Sequence, residues 1–439
     1  MRKYFYQLLR KYISLLILPQ NSVVEIDATT ELLVGSMPNG RVAFRDTSHW
    51  SIPNFPADRL VPLADIKELR PDYLVLSGVV HYERDIQRML SELHALSHAD
   101  TRLIITYFSS LWRPFTTLAA WLGLREKTPE TNWLAHEDIS NLLTLSSFER
   151  VRWDSKILLP IYVPLLSNFI NRYVAPLPFF RMFSLVNIVV ARPLLSSGER
   201  PSVSIVVPAR NEAGNIKAIV ERVPSMGPDD ELIFVEGNST DDTWDVVQRV
   251  HHENAGVRNI VICQQDGKGK GDAVRKGFSL ARNDILMILD ADMTVPPEDL
   301  PKFYAALASG KGEFINGSRL VYPMEKEAMR FFNIIGNKFF AVAFSFVLGQ
   351  RFKDTLCGTK VLSRANYNKL VANRSYFGDF DPFGDFDLIF GASRMALKIV
   401  EVPINYRERV YGETNISRWR HGAILLAMLV FAARRIKFL

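Results

Sequence analysis

The sequence contains very little cysteine, since only Cys263 and Cys357 occur among its 439 residues. The two residues lie far apart along the chain, which argues against a disulfide framework and against a cysteine-based zinc site. A chain with so little cysteine is typical of a protein that works in a reducing compartment, and we therefore expect a cytoplasmic location.

Long apolar runs are also missing, because no stretch reaches the roughly 18 to 20 residues that cross a bilayer as a helix. The nearest candidate, Gly422 to Ala433, would extend about 18 Å as a helix, against a hydrocarbon core of about 30 Å. Its basic flanks favour a helix that lies in or dips into a cytoplasmic leaflet, and a helix packed on the protein itself is the alternative. Residues 1–20 carry no small-residue cleavage site, so we expect no secretory signal.

The sequence has no block of Lys and Arg long enough to form a nucleic-acid-binding tail, and we expect no nucleic-acid partner. The net charge of +6 and the isoelectric point of about 9.1 describe a modest basic excess. Such an excess suits anionic substrates or an anionic membrane surface, and we expect a peripheral protein at the inner face of the cell membrane.

The composition, with 48% hydrophobic and 23% charged residues, is that of a globular protein, and the length predicts two domains. The small, polar stretch Leu195 to Pro201 marks the boundary. We therefore predict an α/β protein with domains at 1–195 and 201–413, followed by a membrane-associating helix within 414–439.

Beyond the boundary, apolar strands alternate with helix-forming stretches, which predicts a parallel sheet covered on both faces. The predicted strands are VSIVVPA, ELIFVEG, NIVICQQ and DILMILDAD. Ligands of such sheets bind beyond the carboxyl ends of the strands. Four polar motifs occupy those ends: PARNE, VEGNSTDD, QQDGKGKGD and LDADM.

Two of these motifs suggest a site for a metal ion and a phosphate. Asp290 and Asp292 would repel each other on one face of a regular strand, but a strand that ends there could present both to Mg²⁺ or Mn²⁺. The glycines at 267, 269 and 271 alternate with lysines before a predicted helix, and a helix N-terminus attracts phosphate. Read singly, each motif could equally be a polar turn or a flexible basic turn.

Taken together, residues 201 to about 420 resemble family 2 glycosyltransferases, the inverting and nucleotide-sugar-dependent type with a GT-A fold. The resembling motifs stand in order: VVPARNE, VEGNSTDDT, GKGKGDAVRKG, LDADM, DTLCGTKVLSR, FGDFDL and VEVPINYRERVYGET. The motifs CGTKV and EVPINYRER are most similar to the branch that makes dolichol- or polyprenyl-phosphate sugars. The resemblance implies a UDP- or GDP-sugar donor and a polyprenyl-phosphate or lipid-linked glycan acceptor.

The resemblance also implies roles for particular residues. Binding of the nucleotide sugar would involve Pro208, Arg210, Asn211, Glu212, Glu236, Asp241, Asp266, Lys270 and Asp290, and the metal would be bound by Asp290 and Asp292. Gly237 stands where the family has an aspartate that contacts the ribose. The acceptor would be activated by Asp385, with Asp387 nearby, although Gly384 replaces the glutamate of the family motif.

The acceptor decides whether that base is needed, since a phosphate is already an anion at neutral pH and a hydroxyl is not. Asp385 therefore favours a hydroxyl acceptor, and a structural role is the alternative. The side chains of Arg407, Arg409 and Tyr411 are predicted to hold a diphosphate or a lipid phosphate, or else to form a solvated edge strand. The aromatic-rich stretch 328–352 is predicted to lie near the acceptor and the membrane, or in the core.

The first 195 residues resemble a class I methyltransferase in the stretch VVEIDATTELLVG, Val23 to Gly35. Asp27, Thr29 and Glu31 fall where that family has glycines, and their side chains would occupy the space of S-adenosylmethionine. We therefore predict a Rossmann-like, methyltransferase-like domain without a working cofactor site. Two alternatives stay open for the whole chain: a bifunctional methyltransferase–glycosyltransferase, and a non-catalytic nucleotide-binding assembly protein.

Overall fold

The computed structural model describes residues 2–28, 37–45, 56–123, 132–195, 200–322, 331–374, 386–409, 411 and 418–438. The chain divides into two compact units, one formed by Met1–Leu195 with Arg434–Leu439 and the other by Ser196–Ala433. The first division falls in the stretch that the sequence marks as a boundary. The predicted segment 414–439 includes Arg434–Leu439, which belong to the first unit.

The first unit is built on a seven-stranded sheet in the order β3-β2-β1-β4-β5-β7-β6. Its strands are β1 (Val23–Ile26), β2 (Gly40–Phe44), β3 (Leu60–Pro62), β4 (Tyr73–Ser77), β5 (Arg102–Phe108), β6 (Phe148–Lys156) and β7 (Val186–Pro193). Neighbouring strands are parallel from β3 to β5, whereas β7 is antiparallel to both β5 and β6.

The helices of the first unit are α1 (Arg2–Ser14), α2 (Ile66–Leu69), α3 (Ile86–Ala95), α4 (Arg113–Trp121), α5 (His136–Leu145), α6 (Leu166–Phe169) and α7 (Pro178–Arg181). Helix α3 shows how the sequence fixes such an element. The Asp85 side chain accepts a hydrogen bond of 2.9 Å from the amide of Arg88, which caps the first turn. The apolar residues at helical spacing are buried in the core: Ile86, Met89, Leu90 and Leu93.

The second unit is built on a mixed sheet in the order β10-β9-β8-β11-β13-β12-β14. Its strands are β8 (Val203–Ala209), β9 (Asp230–Glu236), β10 (Ile260–Gln264), β11 (Ile285–Ile288), β12 (Phe314–Ser318), β13 (Lys360–Ser363) and β14 (Ile399–Pro403). The four strands predicted from the sequence, β8 to β11, are parallel neighbours. Strand β13 runs antiparallel to β11 and β12, so the sheet is mixed rather than wholly parallel.

The helices of the second unit are α8 (Ala213–Arg222), α9 (Thr243–Glu253), α10 (Lys270–Leu280), α11 (Leu300–Ala308), α12 (Phe331–Leu348), α13 (Arg364–Ala372), α14 (Phe386–Arg394) and α15 (Arg418–Ala432). Gly277 allows α10 to approach β8, since a Cβ at this position would come within 2.3 Å of the Val206 side chain. Within the described parts of the chain, no helix is both long and apolar enough to cross a membrane.

Candidate functional site

The four parallel strands of the second unit end at one edge of the sheet, and the polar motifs lie there. Strand β8 ends at Ala209, β9 at Glu236 and β10 at Gln264, while β11 ends two residues before Asp290. The two aspartates of the LDADM motif therefore follow the strand instead of sharing one of its faces. The repulsion that a regular strand would impose on them is thus removed.

The loops after β8 and β9 are locked together by side-chain hydrogen bonds. Asn211 has a left-handed backbone, with φ of 57°, and its side-chain oxygen accepts a hydrogen bond of 2.8 Å from the amide of Thr240. The amide of Asn211 donates to Ser239 Oγ at 3.0 Å. Strained backbone of this kind persists where its surroundings hold it and clusters at functional sites.

Glu236 and Asp241 hold the β9 loop and the start of α9. Glu236 accepts hydrogen bonds from the Ser239 amide at 2.5 Å and from Gln264 Nε2 at 3.0 Å. Burial opposes its ionisation, but these hydrogen bonds prevail and hold its pKa below the ordinary value. Asp241 accepts a hydrogen bond of 3.1 Å from the amide of Thr243, the first residue of α9. Both predicted donor-binding carboxylates therefore also organise the edge.

The first contact between a carboxylate and a cation at this edge joins the glycine-rich loop to the LDADM motif. Lys270, the first residue of α10, places Nζ 2.7 Å from Asp290 Oδ1. Gly358, within the CGTK motif, makes room for the pair, because a Cβ there would lie 2.0 Å from Asp290 Oδ2. Burial opposes ionisation of Asp290, but the nearby Lys270 outweighs it and lowers the pKa of that carboxyl.

The second contact joins Asp292 to Glu212 through Arg409. Nη2 of Arg409 lies 2.6 Å from Asp292 Oδ2, and Nη1 lies 3.1 Å from Glu212 Oε1. The other oxygen of Asp292 accepts from the amide and the hydroxyl of Thr294, at 3.1 and 2.9 Å. Burial raises the pKa of Glu212 to about 7, against the opposing effects of Arg409 and of a hydrogen bond from Asn215.

Two carboxylates are few for a metal ion, yet they suit Mg²⁺ or Mn²⁺ bound together with a substrate. Within the described ranges, no group of three or more His, Cys, Asp and Glu side chains could hold an ion. Mg²⁺ is commonly held by one or two carboxylates, with water and substrate phosphates completing its shell. Asp290 and Asp292 fit that pattern as a site that a donor diphosphate would complete.

Other predicted residues lie elsewhere or make different contacts. Asp266 is exposed and forms a surface ion pair with Lys276 at 2.8 Å, and Asp387 pairs with Arg374 at 2.9 Å. Asp385 lies outside the described residues. Pro208 is half-buried, while Arg210 and Arg407 have exposed side chains. Tyr411 lies against the first turn of α8, where a Cβ on Gly214 would come within 2.6 Å of its ring.

Sequence reasoning missed a buried ion pair in the same unit. The Arg319 guanidinium binds Asp354 through contacts of 2.7 and 2.9 Å, and Asn337 Nδ2 donates to the same carboxylate at 3.0 Å. Burial opposes the charge of Asp354, but Arg319 lowers the pKa of that carboxyl to about 2. Asp354 is the first residue of the DTLCGTK motif, and this motif is the sequence signal that could have pointed to the ion pair.

Comparison with known proteins shows what this region is similar to. Residues 204–370 match the family model described as Glycosyl transferase family 2. The matched residues lie within the second unit. Glycosyltransferase AglJ of Haloferax volcanii is 29% identical over 235 residues, which cover 53% of this chain and 72% of that protein. Dolichol-phosphate mannosyltransferase of Saccharomyces cerevisiae is 38% identical over 109 residues, covering 24% of this chain and 40% of that protein.

The chain is also similar to solved structures. Glucosyl-3-phosphoglycerate synthase from Mycobacterium tuberculosis, in complex with Mn²⁺, UDP-glucose and glycerol 3-phosphate, is 21% identical with a TM-score of 0.40. The match covers 54% of this chain and 80% of that chain. A likeness of this size says nothing about what this chain binds.

Proposed function

We propose that the chain is an inverting glycosyltransferase that moves a sugar from a UDP- or GDP-sugar to a polyprenyl phosphate or a lipid-linked glycan. The process it serves would be cell-envelope polysaccharide or glycolipid synthesis. The observation that carries the proposal is the pair of contacts at one sheet edge, Lys270 to Asp290 and Arg409 to Asp292. Names of relatives that refer to dolichol phosphate support the acceptor class.

The contacts suggest how the donor would be held. Lys270 is the first residue of α10, and an ammonium at the N-terminus of a helix suits the diphosphate. Arg409 reaches the same edge from a distant loop, and its planar fork suits two phosphate oxygens. We expect both cations to exchange a carboxylate for phosphate when the donor binds. Mg²⁺ or Mn²⁺ held by Asp290 and Asp292 would offset the charge that develops on the leaving diphosphate.

An exposed apolar face on two helices of the second unit supports a membrane-bound acceptor. On α12 the side chains of Ile335, Phe339 and Val342 are exposed at helical spacing, and on α15 those of Leu426 and Val430 are. The two helices contact each other. Apolar side chains that face outwards on paired helices are suited to the boundary of a lipid leaflet. We therefore propose a peripheral location at the inner face of the membrane, where a lipid phosphate would be accessible.

For the first unit we propose a methyltransferase-like fold without a working cofactor site. The strand order 3-2-1-4-5-7-6 with an antiparallel seventh strand supports the fold. At the end of β1, Asp27 binds Arg45 through Nε at 2.6 Å and through the backbone amide at 2.9 Å. Arg45 also contacts Glu83, which follows β4. The strand switch point, where ligands of such sheets bind, thus contains an internal ion-pair network.

The function is tested by donor binding and then by transfer. A thermal-shift screen of UDP- and GDP-sugars with Mg²⁺ or Mn²⁺ should show a donor that raises the melting temperature only when metal is present. Transfer is then measured to a polyprenyl phosphate and to a lipid-linked glycan. Asp385→Asn should leave transfer to the phosphate nearly unchanged and reduce transfer to a hydroxyl, because only the hydroxyl must lose a proton. Binding of donors without transfer to either acceptor would favour the non-catalytic alternative.

A further inference from the structure

The first unit presents an unusually apolar and aromatic surface. We define the aromatic surface as the exposed apolar side chains of residues 111–122 and 161–183. Its most exposed members are Leu165 at 87%, Trp121 at 77%, Phe179 at 66% and Phe115 at 64%. Scattered exposed apolar side chains need no explanation, but a contiguous set of large ones marks an interaction site.

The two stretches that form the aromatic surface are joined by hydrogen bonds. Trp112 Nε1 donates to the carbonyl of Phe183 at 2.7 Å, and the amide of Ser109 donates to the carbonyl of Leu185 at 2.8 Å. Helix α1 lies against the second stretch, where Tyr4 donates to Asn168 Oδ1 at 3.2 Å and its ring lies 5.2 Å from that of Tyr162. The aromatic surface and α1 are therefore one continuous feature of this unit.

The backbone holds the apolar side chains outwards. Prolines at 160, 164, 176 and 178 limit the length of the helical segments in the second stretch, which are α6 with the π-helical residues that follow it, Ile170–Val174, and α7. Leu165 has a positive φ of 63° with a ψ of −46°, a strained conformation for a leucine. A leucine that is strained and almost fully exposed gains nothing from the core, and its exposure requires a reason outside the isolated fold.

The charge of this surface is of one sign. Residues 2–24, 109–123 and 158–184 contain seven Lys and Arg but no Asp or Glu. In the rest of the chain acidic residues outnumber basic ones by one, so these three segments supply the whole positive net charge of the protein. Arg113 and Arg172 are exposed among the apolar side chains, and the Arg172 guanidinium lies 5.3 Å from the ring centre of Tyr173.

We infer that the aromatic surface of the first unit, together with α1, is a docking surface for an anionic lipid membrane. Trp, Tyr and Phe favour the membrane–water interface, and Lys and Arg beside them attract anionic headgroups. A second copy of the chain fits less well, because a two-fold contact would bring like charges together with no acidic partner. This surface belongs to the first unit, whereas the α12–α15 face belongs to the second. The inference does not depend on the proposed sugar transfer.

The inference is tested by flotation of the full-length protein with vesicles of phosphatidylcholine, alone or mixed with phosphatidylglycerol. The triple variant Trp121→Ser, Leu165→Ser, Phe179→Ser should lower the partition into mixed vesicles at least about tenfold, because three exposed apolar side chains are lost. The control carries the same change at three exposed apolar residues outside the surface, Leu145→Ser, Val257→Ser and Leu280→Ser, and should float like the wild type. Leu145 precedes β6, at the opposite end of that strand from residues 158–184.

A second variant tests the charges without touching apolar packing. Arg113→Gln with Arg172→Gln should reduce the preference for phosphatidylglycerol about tenfold. The inference is overturned if both variants float like the wild type, or if the wild type does not float. It is also overturned if light scattering shows a dimer that the triple variant abolishes while vesicles remain unbound. Because no nucleotide sugar or acceptor is present, failure of the proposed transfer reaction leaves this measurement unaffected.

Discussion

Each of the two sheets has a carboxyl edge, where ligands of such sheets bind. The two edges differ in the ion pairs that their aspartates form. In the first unit Asp27, which has a φ of 47°, is bound by Arg45, the residue that follows the adjacent strand. In the second unit Asp292 is bound by Arg409, which is 117 residues away in sequence. The first ion pair is supported by a backbone amide, and its arginine directly follows a strand of the sheet. The arginine of the second pair lies in a loop.

This difference explains why the carboxylates at the edge of the second sheet are suited to exchanging their cation partners for a ligand, whereas Asp27 at the edge of the first sheet is not. If the Arg45 side chain left Asp27, the hydrogen bond from the Arg45 backbone amide to the same carboxylate would also be strained. A ligand therefore gains little by competing for that carboxylate. The second unit adds a glycine-rich loop, a helix N-terminus and a second cation, Lys270, all of which suit a diphosphate. Position in the fold therefore allows a site, and the residues around it decide whether a ligand can enter.

The largest expected effect is at the carboxyl edge of the second sheet, where the carboxylates are suited to exchanging their partners. Asp292→Ala should lower metal-dependent donor hydrolysis and sugar transfer about 1000-fold, since the variant loses one of two carboxylates that hold the cation. Asp245→Ala, an exposed aspartate of α9, is the control and should keep full activity. Wild-type rates in Asp292→Ala, measured with saturating donor, would contradict the assignment of the metal site.

The next effect is on stability as a function of pH. The folded protein holds a proton on Glu212 up to a pKa of about 7, against an ordinary 4.5, so the unfolded chain releases that proton first as pH rises. Stability should therefore fall between pH 4.5 and 7, by about 2 to 3 kcal/mol, and level off above that window. Glu212→Gln should flatten this dependence in urea unfolding, whereas Glu221→Gln should not. Parallel curves of unfolding free energy against pH for wild type and Glu212→Gln would refute this prediction.

A smaller effect separates the loop-borne arginine from the rest of the edge. Arg409→Ala should lower donor turnover about 30-fold, as a lost charged contact to phosphate does, while the free energy of unfolding changes by less than about 1 kcal/mol. Arg249→Ala, on the exposed face of α9, provides the control. If Arg409→Ala instead destabilises the protein strongly and leaves turnover intact, Arg409 is a structural residue.

The smallest effect is on the internal network of the first unit. Arg45→Ala should destabilise the protein by about 1 to 2 kcal/mol, because Asp27 stays buried without its partner. Donor turnover should not change, and calorimetry with S-adenosylmethionine should still show no binding. Arg88→Ala, which removes an exposed ion pair with Glu92, should be nearly neutral. Binding of S-adenosylmethionine by the wild type would contradict the proposal of a lost cofactor site.

Much of the second unit could be predicted from local patterns. Strand β8 spans the predicted VSIVVPA, and the helix predicted after the glycine-rich loop begins at Lys270. The antiparallel β13 could not be predicted in the same way, because strand direction depends on distant pairing and not on periodicity. The ion-pair partners of Asp266 and Asp387 could not be predicted either, since a carboxylate contacts whichever cation the fold brings near it.

Although the predicted DILMILDAD strand runs to Asp292 and β11 ends at Ile288, the sequence by itself determined the alternation of strands and helices and the polar residues that follow each parallel strand. Those features follow from the local spacing of apolar, glycine and acidic residues, which acts over a few neighbours. Only the tertiary structure decided which cation meets which carboxylate: Lys270 with Asp290, Arg409 with Asp292 and Glu212, and Arg45 with Asp27. Such pairs form across long stretches of chain, and their partners are set by packing, which no local pattern encodes.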